Sequence, residues 1–220
     1  MSAWTEKTNL KMRKQPAQSR SDFTVNVILE AASKIVADKG LDHLTTNAIA
    51  EIAGVSVGSI YQYFPGTESI IAELRHKHRA EIRDSLQESQ SSGIGKSFEE
   101  FLRLMVSAMV EVHERNPKLH FWLAKYHDAG LQVGPEEPRF NLAPTENSLF
   151  IQFIVSQEFP LTHAMKMGRV MYEIIDSLLH AALIHDELHL PANELVEEVM
   201  CVLLGYFERS GINTSTMIQK

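Results

Sequence analysis

The spacing of apolar residues most strongly constrains what this chain can fold into. From Phe23 onward, apolar side chains recur at steps of three and four residues, as in Val25, Ile28, Leu29, Ala32, Ile35 and Val36. This period places them on one face of a helix. Similar spacing marks most later segments, and no clean run alternates as a half-buried strand would. The sequence therefore predicts an all-α fold with about nine helices.

Glycine, proline and hydroxyl residues predict where the helices begin and end. Gly40 is expected to end the first helix, because glycine accepts the left-handed conformation there. Thr45 or Thr46 is expected to cap a short second helix that Gly54 ends, and Ser56 to cap a third. Further helices are predicted over 67–90, from Phe98 to near Asn116, and over 119–127, 145–157, 162–186 and 192–209, with a long loop over 128–144.

The composition excludes several classes of protein. With 44% hydrophobic and 22% charged residues, the chain falls in the range of ordinary globular proteins. A single cysteine, Cys201, excludes a disulfide framework and is expected to be a small buried hydrophobe. No apolar run approaches the ~20 residues of a membrane-spanning helix, and the N-terminus lacks the apolar segment of a signal peptide. We expect a cytoplasmic protein.

Charge is distributed unevenly along the chain. The overall net charge is −7, yet residues 1–80 carry 10 basic and 8 acidic side chains, and the first 20 residues carry five basic and one acidic. Residues 1–20 also lack an apolar period and are predicted to be a flexible basic arm. The basic end is a candidate for binding a polyanion, the alternative being a solvated tail on an acidic domain.

Three short helices near the front have the spacing of a helix-turn-helix. Ala50, Gly54 and Ile60 supply a small residue where two helices cross, a glycine for the tight turn, and a branched anchor for the second helix. A generic three-helix unit that does not bind DNA is the alternative explanation for this spacing.

The same segment resembles the N-terminal domain of the tetracycline-repressor (TetR) family of bacterial transcriptional regulators. The resemblance is carried by AAxxxxxxxG in the first helix, TTxxIA at the start of the second, and GVSxGxIYxYF through the third, within residues 28–74. It implies a DNA-binding domain over 21–75. It also implies that residues 76–220 form an effector-binding and dimerisation domain.

The resemblance implies a recognition helix from Ser56 to Phe64 and specific contacts to DNA. Gln62 is of a type that reads adenine, and tyrosine hydroxyls reach phosphates. The DNA-binding residues implied are Thr46, Asn47, Ser56, Val57, Gly58, Ser59, Tyr61, Gln62, Tyr63 and Thr67. Asn47 stands where many relatives have arginine, and Thr67 where the family usually has lysine. Cations of the arm can compensate for the missing lysine by lying along the DNA backbone or minor groove.

Two helices near the end of the chain are apolar over nearly their whole circumference. A helix of this kind must be covered on both sides, by its own core and by a second subunit. The resemblance likewise implies a four-helix dimer interface here, and a fully internal core helix is the alternative. The predicted interface residues are Leu178, Leu179, Ala182, Leu195, Val199, Leu203 and Tyr206.

Methionine and aromatic residues of the second half are candidates for an adaptable effector cavity, if their faces converge. They are Phe101, Met105, Met109, Trp122, Tyr126, Phe150, Phe153, Met167 and Met171, with Asp176 and His180 as polar anchors. One alternative is that these apolar residues form a plain hydrophobic core. Another is that the two polar residues lie in the interface between subunits.

Other motifs predict no cofactor, no metal and no catalytic residues. Gly95-Lys96-Ser97 resembles the end of a phosphate loop, but Gln90 stands where the motif needs glycine. His185 and His189, four residues apart, are expected to be exposed polar residues at a helix end. His113, His120 and His127, seven residues apart, leave metal sensing as a minor alternative.

The sequence thus predicts a dimeric transcriptional repressor that responds to a small-molecule effector and binds a palindromic operator in double-stranded DNA. One alternative is an activator or DNA-organising protein without an effector. Another is an all-α enzyme or a metal-binding module.

Overall fold

A computed structural model of the chain describes residues 19–128, 148–184 and 190–219, with side chains over 21–123, 148–183 and 190–219. These residues form nine α-helices and no strand beyond a single bridge between Ser97 and Met217. The helices are α1 Ser19–Lys39, α2 Thr46–Ala53, α3 Val57–Tyr63, α4 Thr67–Ser92, α5 Phe98–Arg115, α6 Pro117–Asp128, α7 Leu149–Ser156, α8 Leu161–Leu179 and α9 Ala192–Arg209. The all-α prediction is confirmed. Over this part of the chain, no helix has the length and apolar character needed to span a membrane.

The bounds of α1 and α8 differ from those predicted. The first helix begins at Ser19, before Phe23. The segment predicted as one helix over 162–186 forms α8, which ends at Leu179, and a π-helix that follows it over His180–Ile184. Residues 1–18 of the predicted arm, most of the predicted loop over 128–144, and the histidine pair at 185 and 189 lie outside the described residues.

The first of two compact units lies within residues 1–78 and 118–138. Its core combines α1, α2, α3, the start of α4, and α6, which contributes the buried Leu123. Ile28, Ile49, Ile60 and Phe64 are fully enclosed in this core. Helix α6 is therefore part of this unit, whereas the sequence placed the end of the first domain near residue 75.

Gly40 lets α6 pack closely against the end of α1 within this unit. Its backbone has φ 86° and ψ 173°, a conformation that is nearly confined to glycine. A Cβ atom at Gly40 would lie 2.7 Å from Cζ2 of Trp122. Both the backbone and the neighbouring indole therefore require glycine here.

The second unit lies within residues 79–117 and 139–220. Its core is rich in phenylalanine, and Phe98 of α5 stacks on Phe153 of α7 with ring centroids 4.4 Å apart. Phe207 of α9 meets Phe98 edge to face at 5.3 Å. These aromatic contacts join α5, α7 and α9 around one hydrophobic cluster.

The segment after α9 returns to the start of α5. The amide of Phe98 donates to the carbonyl of Thr216 at 2.9 Å, and that of Glu99 donates to the carbonyl of Thr214 at 3.0 Å. Amides in the first turn of a helix have no acceptor within the helix. The carbonyls of this tail therefore supply acceptors for two such amides. Ile218 is buried and anchors the tail.

A capping box also stabilises the start of α5. The Ser97 amide donates to Oε2 of Glu100 at 2.8 Å, and the Glu100 amide donates to Oγ of Ser97 at 3.2 Å. The hydrogen bond from the Ser97 backbone lowers the pKa of the Glu100 carboxyl, and the hydrogen bond with the Ser97 side chain lowers it further. The segment that resembled a phosphate loop, Gly95-Lys96-Ser97, thus begins this helix.

Candidate nucleic-acid interface and effector domain

Local hydrogen bonds shape the helix-turn-helix. The Ala48 amide donates to Oγ1 of Thr45 at 3.1 Å, which caps α2. Gly54 ends α2 in the left-handed conformation, with φ 66° and ψ 30°. The Val55 amide then donates to the carbonyl of Ala50 at 3.1 Å and closes the turn. The predicted roles of Thr45 and Gly54 in helix capping are confirmed.

Ser56 caps α3, as predicted, and ties it to Ser59. The Ser59 amide donates to Oγ of Ser56 at 3.0 Å, and the two hydroxyl oxygens lie 2.8 Å apart. Both hydroxyls therefore already take part in a local hydrogen bond at the start of the implied recognition helix. Their geometry fixes the first turn of α3, whatever else they contact.

The outward face of α3 carries a glycine and two polar side chains. Gly58, Tyr61 and Gln62 are exposed, Tyr61 by 42%, and lie at three- and four-residue spacing on one side. Val57 is half-buried at the first position of the helix. On α2, Asn47 is exposed and Thr46 is half-buried. The turn at Gly54 joins the two helices that carry these side chains.

Tyr63 does not belong to this outward face. Tyr63 is only 8% exposed and its ring packs in the core of the first unit, and the implied phosphate contact of its hydroxyl stays a prediction. It follows Ile60 by three residues, so the helical period turns both side chains inward. Thr67, half-buried, directs its hydroxyl to Oε2 of Glu68 at 3.4 Å.

The helix-turn-helix itself carries no cationic side chain. The sequence contains no Lys or Arg between Lys39 and Arg75, whereas Asp42, Glu51 and Glu68 lie within that stretch. Arg75 is buried. Phosphate contacts from this surface therefore depend on hydroxyls, amides and helix N-termini, and cationic contacts must come from flanking residues.

Seven of the predicted effector residues come together in the hydrophobic cluster of the second unit. They are Phe101, Met105, Met109, Phe150, Phe153, Met167 and Met171, all buried. Trp122 was wrongly grouped with them, because it packs in the core of the first unit. The side chain of Tyr126 lies outside the described residues. Asp176 and His180 are partly exposed, and their Oδ1 and Nε2 atoms lie 3.7 Å apart.

The predicted dimer residues are mostly internal. Leu179, Ala182, Leu195, Val199 and Leu203 are between 0 and 5% exposed within a single chain, so they were wrongly assigned to an interface between subunits. Helical period places them on the inward faces of their helices, and apolar residues on the other faces hid this from the sequence pattern. Leu178 and Tyr206 are half-buried.

The outward side of α8 and α9 carries one of these predicted residues, Leu178, together with residues that were not predicted. An open groove there is lined by Lys166, Arg169, Val170, Glu173, Ile174, Ser177, Leu178 and Val202. Val202 is 47% exposed, and its neighbour Cys201 is exposed too, contrary to the prediction that it is buried. We name these lining residues the α8–α9 face.

Comparison with known sequences finds similarity in part of the first unit. Residues 28–74 match the sequence model of the family described as "Bacterial regulatory proteins, tetR family". Over 55 residues the chain is 42% identical to an uncharacterized HTH-type transcriptional regulator of Mycobacterium tuberculosis (strain CDC 1551 / Oshkosh). That match covers 25% of this chain and 29% of the relative, so most of each chain lies outside it.

Solved structures match over most of the chain. The fatty acid degradation regulator FadR from Bacillus halodurans aligns with a TM-score of 0.59 at 18% identity, over 88% of this chain and 97% of that one. A TetR-like transcriptional regulator from Rhodococcus sp. RHA1 aligns with a TM-score of 0.62 at 13% identity, over 90% of this chain and 100% of that one. At these identities the likeness concerns the fold, which both units share with such regulators.

Proposed function

We propose that this chain is a dimeric transcriptional repressor that binds a palindromic operator and responds to a small-molecule effector. Its residues 28–74 match the N-terminal domain of the tetR family of bacterial regulatory proteins. The observation that carries the proposal is the outward face of α3. Gly58, Tyr61 and Gln62 are exposed there, while Ile60 is fully buried behind them. A helix presented in this way suits the major groove.

Each exposed residue type suits a distinct contact with DNA. Gly58 allows the backbone to approach the duplex closely, and the amide of Gln62 can bind adenine through two hydrogen bonds. The hydroxyl of Tyr61 suits a phosphate, which carries no base identity. The N-terminus of α2, with Thr46 and Asn47, adds amide donors of the kind that bind phosphate.

The α8–α9 face supports a dimer related by a two-fold axis. Its lining combines the apolar side chains of Ile174, Leu178 and Val202 with Lys166, Arg169 and Glu173. In a two-fold interface the same patch meets itself, so opposite charges of one copy can pair with those of the other. A dimer would bring two copies of α3 to two half-sites of a palindrome.

The second unit is the proposed effector domain, and the protein is proposed to act in the cytoplasm without catalysis. Methionine-rich clusters such as that around Met105, Met109 and Met171 adapt to apolar ligands. An effector that prefers one conformation of the dimer weakens DNA binding through a coupling of typically ~1–3 kcal/mol.

Selection of DNA from a random double-stranded library with the purified full-length chain tests the proposal. We expect a palindromic motif whose half-sites are separated by about one helical turn. A DNA-organising protein would instead retain fragments without a common motif. Failure to retain any DNA would contradict the proposal.

A further inference from the structure

Helix α9 contains a glycine that neither its backbone nor its neighbours explain. Gly205 lies in the interior of α9 and is not among the glycines with a positive φ. Apart from its chain neighbours and the backbone of adjacent turns, no atom of the described residues lies within 4 Å of the place where its Cβ would be. A glycine inside a helix is less stable than alanine, because it loses more conformational freedom on folding. Close approach by another molecule is a physical reason for glycine at this position.

Gly205 belongs to a face of α9 that has small or apolar residues at its centre and a charge at each end. Glu198, Val202, Gly205 and Arg209 follow one another at steps of four, three and four residues, which places them on one side of the helix. Glu198, Val202 and Arg209 are exposed, and Val202 also lines the α8–α9 face. We name these four residues the α9 stripe.

The two charges of the α9 stripe are available to a second molecule. Within the described part of the chain, neither Glu198 nor Arg209 has an ion-pair partner. The two residues are about 16 Å apart along the helix, so they cannot reach each other within one chain. A surface with one positive and one negative end can pair both charges with a second copy of itself.

We propose that two copies of this chain pack α9 against α9 in antiparallel orientation, with Val202 of each copy over Gly205 of the other. This inference rests on the proposed dimer and specifies how its two copies meet. A two-fold axis perpendicular to antiparallel helices exchanges residues that lie at equal distances on either side of it. An axis midway between Val202 and Gly205 is also midway between Glu198 and Arg209. The axis that places valine over glycine therefore also places Glu198 opposite Arg209 of the partner subunit.

A parallel arrangement of the two helices lacks both advantages. An axis parallel to the helices would place each residue of the α9 stripe opposite its own copy. Glu198 would then face Glu198, and Arg209 would face Arg209, which is unfavourable. Two glycines would also face each other and leave a gap, whereas valine over glycine fills the space and lets the helices approach closely.

Exchange of the two charges tests the register. Glu198→Arg places arginine opposite arginine twice in the dimer, and Arg209→Glu does the same with glutamates. We expect each variant to raise the Kd of the dimer by about tenfold or more, because two attractions become repulsions. The double variant Glu198→Arg/Arg209→Glu restores opposite charges across the axis, so we expect its Kd to return close to that of the unaltered chain. Sedimentation equilibrium over a dilution series measures Kd.

Glu114→Arg is the matched control, because Glu114 is an exposed glutamate of α5 and its change in net charge equals that of Glu198→Arg. We expect it to dimerise like the unaltered chain. A double variant no tighter than the two single variants would overturn the register, as would single variants that bind as tightly as the unaltered chain. An unaltered chain that stays monomeric at every concentration would instead overturn the proposed dimer and this register with it.

Larger side chains at Gly205 test the close approach independently of charge. Gly205→Ala and Gly205→Leu should weaken the dimer progressively, the leucine variant by about 30-fold or more, because Val202 of the partner subunit would meet the added atoms. Alanine and leucine both favour helix over glycine, so melts of dilute, monomeric protein should show unchanged or higher melting temperatures. Ser107→Leu, at an exposed position of α5, is the control for an added surface leucine. Unchanged dimer affinity of Gly205→Leu would overturn the contact between Val202 and Gly205.

Discussion

At the scale of single residues, helix α3 places its packing residues on one side and its proposed DNA-contacting residues on the other. Ile60 and Tyr63 point into the core of the first unit, while Gly58, Tyr61 and Gln62 point outward. Substitutions on the outward side are therefore expected to change the proposed contacts with DNA without creating cavities. Affinity and stability can be measured independently at these positions.

Gln62→Ala should lower affinity for the preferred operator by ~1–3 kcal/mol and relax base preference at one position per half-site. Tyr61→Phe should instead weaken binding to all sequences alike, because a phosphate has no base identity. Quantitative binding to a panel of single-base operator variants measures both effects. Gln87→Ala, at an exposed position of α4, is the control. An unchanged base profile for Gln62→Ala would show that Gln62 does not read a base.

Gly40→Ala and Gly54→Ala should separate backbone strain from steric overlap. Gly54 has φ 66° but open space where a methyl group would lie, so alanine there should cost about 1–2 kcal/mol of unfolding free energy. Alanine at Gly40 meets both an unfavourable backbone and Trp122, so we expect a loss of about 3 kcal/mol or more. Urea unfolding compares the two variants. Equal losses would mean that the indole moves aside at little cost.

At the scale of elements, the start of α5 depends on residues from both ends of its unit's sequence. The capping box of Ser97 and Glu100 is local, whereas Thr214 and Thr216 arrive from beyond α9. Together they supply partners for amides that would otherwise lack them. The helix therefore combines a pH-dependent cap with a pH-independent one.

Glu100→Gln should make stability less dependent on pH in the acidic range. The pKa of Glu100 is lowered from its usual 4.5 in the folded chain, mainly by the bond from the Ser97 backbone. Its carboxylate therefore stabilises the fold above the unfolded pKa, and this contribution is lost as the pH falls through the folded pKa. Urea unfolding between about pH 6 and pH 3 should show a shallower decline for the variant. Glu99→Gln is the control, since Glu99 lies outside the capping box, and identical curves for both variants would contradict this role.

Local signals in the sequence predicted local structure well. Thr45, Gly54 and Ser56 act through neighbours within five residues, so their roles could be inferred from residue type and spacing. The proposed dimer face could not be inferred in this way, because α8 and α9 carry apolar residues on both sides and helical period alone does not say which side is inward. The place of α6 in the first unit and the tail on α5 are long-range contacts, for which the sequence has no local signal.

At the scale of the whole molecule, the proposed dimer depends on the outward side of α8 and α9. Val202→Glu places a charge in the apolar part of the α8–α9 face, where a partner would have to bury it. We expect the dimer to dissociate while the single chain keeps its melting temperature, since Val202 is exposed there. Sedimentation and thermal melts measure the two properties. Val155→Glu, at an exposed valine of α7, is the control, and a dimer unaffected by Val202→Glu would place the interface elsewhere.

Deletion of residues 2–18 should weaken DNA binding chiefly through charge. This segment contains Lys7, Lys11, Arg13 and Lys14, and no Lys or Arg lies between Lys39 and Arg75. For each phosphate that the shortened chain no longer neutralises, the slope of log K against log[salt] should flatten by up to about 0.9, with base preference largely kept. Binding titrations at several salt concentrations measure the slope. Equal affinity and slope for the two chains would mean that the segment does not contact DNA.

The return of the tail to α5 also orders events during synthesis of the chain. A ribosome adds about 5–20 residues per second, so Thr216 is made roughly 5–20 s after the end of α5. When α5 has just been made, helices α1 to α3 are already present in the chain. The first turn of α5 still lacks its acceptors at that moment, and Ile212 and Ile218 are not yet available to be buried. The nascent chain thus contains its helix-turn-helix before the second unit is complete.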